Sequence, residues 1–187
     1  MVFRVLLLFA FAVPLRAAEL EGIRLEDRVL VDGQEVQLNG MALRTRFAVF
    51  NVYVAGLYLP QKTSSAQAAI EGGGAKRMAL VMLRDVSAEQ FSEAFDVALN
   101  NNNSEAQLAE VRAQKDELFA RIRTIGEAAT GTVILLDYLP SAGTMLLVGG
   151  TARGAPIPGE EFYRAILRSW LGEKPSQEDM KKALLGG

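Results

Sequence analysis

Two hydrophobic rhythms alternate in blocks along this chain of 187 residues. Strand-like runs come first. Residues 29–38, Val-Leu-Val-Asp-Gly-Gln-Glu-Val-Gln-Leu, predict two short strands around Asp32-Gly33, a two-residue hairpin signal. Asn39-Gly40 predicts a second turn. From Phe47 to Leu59 the sequence is rich in Val, Phe and Tyr and closes at Pro60. Near-continuous hydrophobicity of this kind predicts a strand covered on both faces. Thr63 to Ile70 predicts a short helix stopped by Gly72-Gly73-Gly74, and residues 76–86 return to strand.

Helical spacing takes over at Ser87. Ser87 with Gln90 has the capping-box pattern, and Phe91, Ala94, Phe95, Ala98 and Leu99 share one stripe. The polar run Asn100 to Asn103 ends that helix. Ser104 with Gln107 caps a second, predicted to turn Leu108, Val111, Leu118, Phe119, Ile122 and Ile125 inward. Thr132 to Leu139 and Thr144 to Val148 predict a hairpin around Pro140 to Gly143. A helix from about Glu160 to Leu171 and a last short helix capped by Ser176 complete the chain. The order strands, helices, strands, helices predicts α+β architecture, an antiparallel sheet packed against a helical layer, rather than alternating βαβ units.

The amino terminus follows a separate pattern. Arg4, the apolar run Leu6 to Val13, Pro14 and the small Ala17 and Ala18 form a secretory signal layout. The run is too short to span a bilayer, which takes about 20 apolar residues. The expected organisation is a signal peptide over residues 1–18, cut after Ala17 or Ala18, and one domain over 19–187, periplasmic or secreted. Leu15 or Arg16 then stands third before the cut, which leaves an uncleaved first strand or tether as the alternative. Membrane contact is expected only through the leader.

Composition changes the picture chiefly by absence. There is no cysteine and no histidine, which excludes disulfides, thiol nucleophiles, Ser-His-Asp triads and Cys/His zinc sites. No metal and no cofactor is expected. Net charge is −2. Loss of residues 1–18 removes two arginines and no acid, leaving 18 basic against 22 acidic residues. Without clustered Lys and Arg, no nucleic-acid partner is expected. There is no Gly-rich phosphate loop, EF-hand loop or nucleophile elbow. Glu160-Glu161 is explained by the preference of a helix's first turn for acids rather than by an acid pair at work.

Three stretches together resemble the chalcone isomerase-like family. The first is Leu43-Arg44-Thr-Arg-Phe-Ala-Val-Phe-Asn-Val-Tyr53-Val-Ala-Gly56-Leu-Tyr58-Leu-Pro, an arginine turn followed by a strand ending Gly-x-Tyr-Leu. The second is Val86-Ser-Ala-Glu-Gln-Phe91-Ser-Glu-Ala, similar to the helix that carries catalytic groups in the plant isomerases. The third is Phe162-Tyr-Arg-Ala-Ile-Leu-Arg-Ser169-Trp-Leu-Gly-Glu-Lys-Pro with the closing Lys182-Ala-Leu-Leu-Gly, which resembles the family's bacterial, exported branch. The resemblance spans roughly residues 20–187. It implies a large antiparallel sheet layered against helices, with a ligand cleft between them.

Plant members close a flavanone ring by adding a phenolate to an enone, a reaction that needs neither histidine nor a nucleophilic side chain. By resemblance, Arg44 matches the family arginine and Tyr53 stands where plants carry a threonine. Phe91 replaces the helix tyrosine, Ala98 the asparagine, and Ser169 matches a C-terminal threonine or serine. Losing one donor toward a developing oxyanion costs about 10²–10³ in rate, so no catalytic residue is assigned. Arg44 with Tyr53 is similar to the head-group pair of the family's fatty-acid-binding branch. Five ligand-binding positions follow: Arg44, Tyr53, Phe91, Ala98 and Ser169.

The leading expectation is an exported, non-enzymatic binder of a fatty acid or similar small amphipathic acid. A weak or divergent isomerase and a structural or interaction protein of the cell envelope, its cleft filled by side chains, remain alternatives. The residues alone also allow plainer roles: a solvent-facing Arg44, a core Tyr53, and a Ser169 hydroxyl bonding the preceding helical turn. A spacing of nine would put Arg44 and Tyr53 on opposite faces of a straight strand, so a shared site requires a turn or bulge near Thr45 to Phe47. A long acid would need a cavity of roughly 300 Å³ or more.

Overall fold

Asp32 and Gly33 both take positive φ, +51° and +72°, the pair of left-handed residues a tight two-residue hairpin uses. They join β3 (Arg28–Val31) to β4 (Gln34–Arg46), with Val31 opposite Gln34. The computed structural model describes residues 17–47 and 49–187. The expected leader therefore lies outside the described residues, except for Ala17 and Ala18. These belong to β1 (Ala17–Leu20), which forms a hairpin with β2 (Ile23–Glu26).

Strand β5 (Phe50–Leu59) pairs with β4 on one side and with β6 (Lys76–Met82) on the other. β6 pairs in turn with β9 (Val133–Leu139), β9 with β10 (Gly143–Val148), and β10 with β11 (Thr151–Ala152). The result is a seven-stranded antiparallel sheet in the order β11-β10-β9-β6-β5-β4-β3. The hydrophobic run of β5 is explained by cover on both sides. Tyr53, Ala55, Leu57 and Leu59 face the main core, whereas Tyr58 belongs to a second apolar cluster behind the sheet with Val36, Leu38 and Ala79. The β1–β2 hairpin closes that rear side, where Leu25 packs on the cluster and the Tyr58 hydroxyl donates to Glu26 O at 3.0 Å.

The helices lie on the front. α1 (Ala66–Glu71) is capped by Ser65. The short β7 (Val86–Ser87) pairs with β8 (Glu127–Ala128) and leads into α2 (Ala88–Asn102). Ser87 Oγ accepts from the Gln90 N–H, while the full reciprocal box forms at Ser104 and Gln107. Along α2, Phe95, Ala98 and Leu99 are buried and Phe91 half-buried, but Ala94 is exposed rather than part of the buried stripe. The helix expected from Ser104 onward is two helices, α3 (Glu105–Glu110) and α4 (Arg112–Arg123). They break at Val111, whose side chain is buried in the core. α5 (Glu160–Leu171) buries eight of its twelve residues, because it lies between the sheet and helices α1 and α2. Its Glu160 and Glu161 pair with Arg164 and Arg168. In α6 (Glu178–Leu184) the N-cap is Gln177, with no side-chain cap bond. Ser176 instead donates its N–H and hydroxyl to Ser169 O, both at 3.1 Å.

The clearest departure from expectation is Asn39-Gly40, which lies inside β4. Leu38 stands opposite Tyr58 and Gly40 opposite Leu57, so Asn39 is bulged out of the ladder. Its buried amide donates to Thr63 O (3.0 Å) and Leu184 O (2.7 Å), and its oxygen accepts from the Thr63 N–H (2.7 Å). Neither Asn39 nor Gly40 takes the positive φ of an Asn-Gly turn, so the bulge rests on the tertiary partners of the Asn39 amide. A Cβ on Gly40 would run into the backbone carbonyls of Ala183 and Leu184.

Two predictions follow from this packing. Gly40→Ala should cost about 1–3 kcal/mol in denaturant unfolding through overpacking. Gly73→Ala has open space around its Cβ and no positive φ, so it should stay within about 0.5 kcal/mol. The second concerns Lys76, fully buried with Nζ donating to Ile70 O at 2.8 Å. Burial lowers its pKa to about 8, against the pull of Glu160 and with the help of Arg164. Between pH 8 and about 10 the unfolded chain holds this proton and the native chain has released it, so its contribution to stability rises with pH. Urea midpoints of wild type minus Lys76→Met should therefore climb over that window; parallel profiles would refute it.

Candidate ligand-binding site

Arg44 and Tyr53 stand directly opposite each other in the β4–β5 ladder. Phe47 and Val49 are turn residues, and the register steps just beyond Arg44, where Thr45 pairs with Asn51 and Val52 is the extra residue. Turn and bulge together put side chains nine positions apart on one face. The row continues, because Tyr53 lies opposite Met82 on β6. Directly opposed residues of an antiparallel ladder share a face, here the helix-covered one where Tyr53 and Met82 join the core. A guanidinium, a phenol and a thioether thus line up across three strands.

Tyr53 is buried and its hydroxyl accepts from Trp170 Nε1 at 3.1 Å. Burial pushes its pKa up, against the Trp170 hydrogen bond and the Arg44 charge, so the phenol stays neutral and keeps its own proton to donate. Arg44 is half-buried and donates from Nη1 to Ser176 O (2.7 Å) and Gln177 Oε1 (3.3 Å). Gln177 also accepts from the Thr45 N–H at 3.1 Å and donates to Leu43 O at 3.4 Å. Arg44 therefore holds two neutral oxygens rather than a carboxylate among the described residues.

Past Met82 opens a crevice between the sheet and the helices, lined by Met82, Ile134 and Leu146 from the sheet, Phe91 from α2 and Ile122 from α4. Every lining side chain is apolar. Its free volume is about 10 Å³, barely room for one water and far below the roughly 300 Å³ of a site already open to a long acid. A larger groove of about 280 Å³ lies along β1 and the Asn39 bulge, bordered by Glu19, Asp27 and Lys62. It contains neither Arg44 nor Tyr53, and its polar walls suit water better than an alkyl chain.

The other sequence-derived positions divide. Phe91 lines the crevice, its ring 5.8 Å from Phe95, which in turn lies 5.3 Å from Trp170. Ala98 is buried on α2 without lining the crevice. Ser169 is fully buried and its hydroxyl has no hydrogen-bond partner among the described residues, so it does not bond the preceding turn. It reaches Arg44 only indirectly, through Ser176, which donates to Ser169 O and accepts from Arg44. Sequence reasoning missed Trp170, Ser176, Gln177 and Met82. Trp170 carried a signal, as the chain's one tryptophan at helical spacing from Ile166. Gln177 carried none.

The sequence profile of the chalcone isomerase-like family matches residues 17–186. The chain belongs to that family. Among solved structures, a crystal structure of an Arabidopsis thaliana fatty-acid binding protein is similar, with a TM-score of 0.71 and 13% identity. The match covers 91% of this chain and 96% of that one, and it shows the fold. No curated protein matches the chain. In this chalcone isomerase-like protein, Phe91 presents no hydrogen-bond donor to the crevice, and no group of metal-ligating side chains occurs among the described residues.

The Tyr53–Trp170 bond ties the site to α5 and is testable alone. Trp170→Phe strands a buried phenol and should cost about 1–3 kcal/mol beyond the loss of packing. Adding Tyr53→Phe should recover much of that loss, because both polar groups are then gone. Strictly additive losses in the double variant would refute the pairing.

Proposed function

We propose that this protein binds a long-chain carboxylic acid. The head group sits on Arg44 with Tyr53 beside it, and the tail runs past Met82 into the apolar crevice. The observation that carries this reading is the cross-strand row from cation to phenol to a wholly apolar lining. An arginine fork matches a carboxylate, and such charge-assisted bonds are roughly twice as strong as neutral ones. The Ser176 and Gln177 oxygens occupy the positions that carboxylate oxygens would take. Binding therefore exchanges two neutral acceptors for a charged one and parts Phe91 from Met82. The likeness to a protein named for fatty-acid binding supports the same reading, and the expected leader would make the protein an exported one.

The small crevice favours one rival, an interaction protein whose cleft is simply packed. One experiment separates them. Titration with a fluorescent polyene fatty acid, with native mass spectrometry of the purified protein, should show one acid bound. Arg44→Gln should weaken binding about 10–100-fold, the loss of a charged hydrogen bond. Ala128→Trp, filling the crevice away from Arg44, should also abolish it. Absence of bound acid, or affinity unchanged by Arg44→Gln, would overturn the assignment and leave the packed-cleft reading.

A further inference from the structure

The tip of the β4–β5 hairpin exposes what a soluble protein normally hides. Phe47 is 76% exposed, Val49 72% and Phe50 49%, three of the five large apolar side chains that stand exposed among the described residues. Phe47 also takes φ +54°, a left-handed conformation that bulky residues rarely adopt and that a turn normally gives to glycine or asparagine. An aromatic ring is thus held in water at a position that disfavours it twice, once by hydration and once by backbone geometry.

Two arginines flank the rings. The Arg46 guanidinium lies 5.0 Å from the Phe47 centroid, and that of Arg84, at the start of the loop after β6, lies 5.1 Å from Phe50. Two acids stand nearby, each hydrogen-bonded to neutral groups. Asp85 accepts from the Thr130 N–H and hydroxyl, and Glu21 accepts from Asn51 at the base of the tip. Arg44, Arg46 and Arg84 stand against Asp85 and Glu21 at this end of the hairpin, so in a chain of net charge −2 the aromatic tip has one more basic than acidic side chain around it. Rings that enter the headgroup layer while arginines stay at the phosphates form the usual pattern of interfacial insertion.

We propose that this hairpin tip inserts into the surface of an anionic lipid bilayer. A second copy of the chain suits the patch poorly. Three side chains on a hairpin tip fall well short of the roughly 1,200–2,000 Å² that a stable protein interface buries. Arg44 lies two positions from Arg46 on the same strand, so the docked tip places the carboxylate end of the cleft next to the headgroups, where an acid would enter or leave. That last link rests on the acid-binding reading; the membrane contact does not.

Cosedimentation with vesicles of phosphatidylcholine containing phosphatidylglycerol tests it, with pure phosphatidylcholine for comparison and every variant sharing the same amino terminus. Wild type should partition to the anionic vesicles, and Phe47→Ser/Phe50→Ser should weaken this at least about tenfold. Arg46→Gln/Arg84→Gln should weaken it several-fold on anionic vesicles only, with salt acting in the same direction. Val97→Ser, which removes an exposed apolar side chain on α2, should change nothing. Acid binding in solution should survive in the tip variants, so loss of acid binding by Arg44→Gln and loss of vesicle binding at the tip are independent results. Partition unchanged in Phe47→Ser/Phe50→Ser, including partition driven wholly by the leader, would overturn the proposal. So would an equal loss in Val97→Ser, or tip-dependent self-association without vesicle binding.

Discussion

Strand β3 pairs with β4 only as far as Gln37. The Leu38 N–H still reaches Asp27 O at 2.8 Å, and from Asn39 to Arg46 the outer edge of the longest strand would present unpaired backbone groups, a liability that folded proteins cover or blunt. Here the end of the chain covers it. The Gln177 amide does the work of a strand residue, accepting from the Thr45 N–H and donating to Leu43 O. Asn39, bulged outward, reaches Leu184 O, and Gly40 is bare so that Ala183 and Leu184 can approach. The same contact sets Ser176 and Gln177 against Arg44. Edge protection and head-group chemistry are thus one arrangement, and whatever displaces residues 176–177 from Arg44 also loosens the cover of the edge.

The two faces of the sheet treat arginine differently, and the contrast gives Arg44 its meaning. Behind the sheet, Arg77 on β6 makes a bidentate pair with Asp137 on β9, both bonds at 2.6 Å and both side chains largely buried. That charge is matched and its hydrogen bonding is well served; it is a structural pair. On the front, Arg44 holds only neutral oxygens among the described residues, and the phenol of Tyr53 opposite it stays protonated. A half-buried cation that keeps no anion remains an attractor for one. Arg77 is thus a closed arginine and Arg44 an open one, and it is Arg44 whose cross-strand row leads through Tyr53 to Met82 at the apolar crevice.

Much of this was legible in the sequence, for identifiable reasons. Asp32-Gly33, the β9–β10 hairpin and α5 follow local rules of turn residues and periodicity, which need no knowledge of distant contacts. The both-faced burial of β5 was legible because its hydrophobic run leaves no polar face. The family resemblance placed Arg44 and Tyr53 together, and the ladder shows how: a turn and a bulge correct a spacing that would separate them. What escaped depended on partners far away in sequence. Asn39-Gly40 has the chemistry of a turn and becomes a bulge because Thr63 and Leu184 offer it bonds. The break at Val111 follows from burying that side chain in the core while α4 continues. Ser176 carries a capping side chain, yet spends it on Ser169. No pattern in Gln177 announces that it will stand in for a strand.

Closure of the crevice sharpens what the missing histidine and cysteine mean. Those absences exclude families of chemistry, but the family's own reaction needs neither residue, so they weigh little against catalysis here. Phe91 weighs more. It stands where the isomerases are expected to carry a tyrosine, lines the crevice, and stacks through Phe95 toward Trp170 and so toward the bond that holds Tyr53. An aromatic ring there offers no proton to a developing oxyanion, but it fills volume, and it can turn aside as one unit. The position that would carry a donor by the resemblance thus holds a ring that lines the crevice. A ligand whose gain comes from apolar contact along a parted Phe91 and from one charged bond at Arg44 would find both here, whereas a substrate that needed polarising groups along its length would find neither.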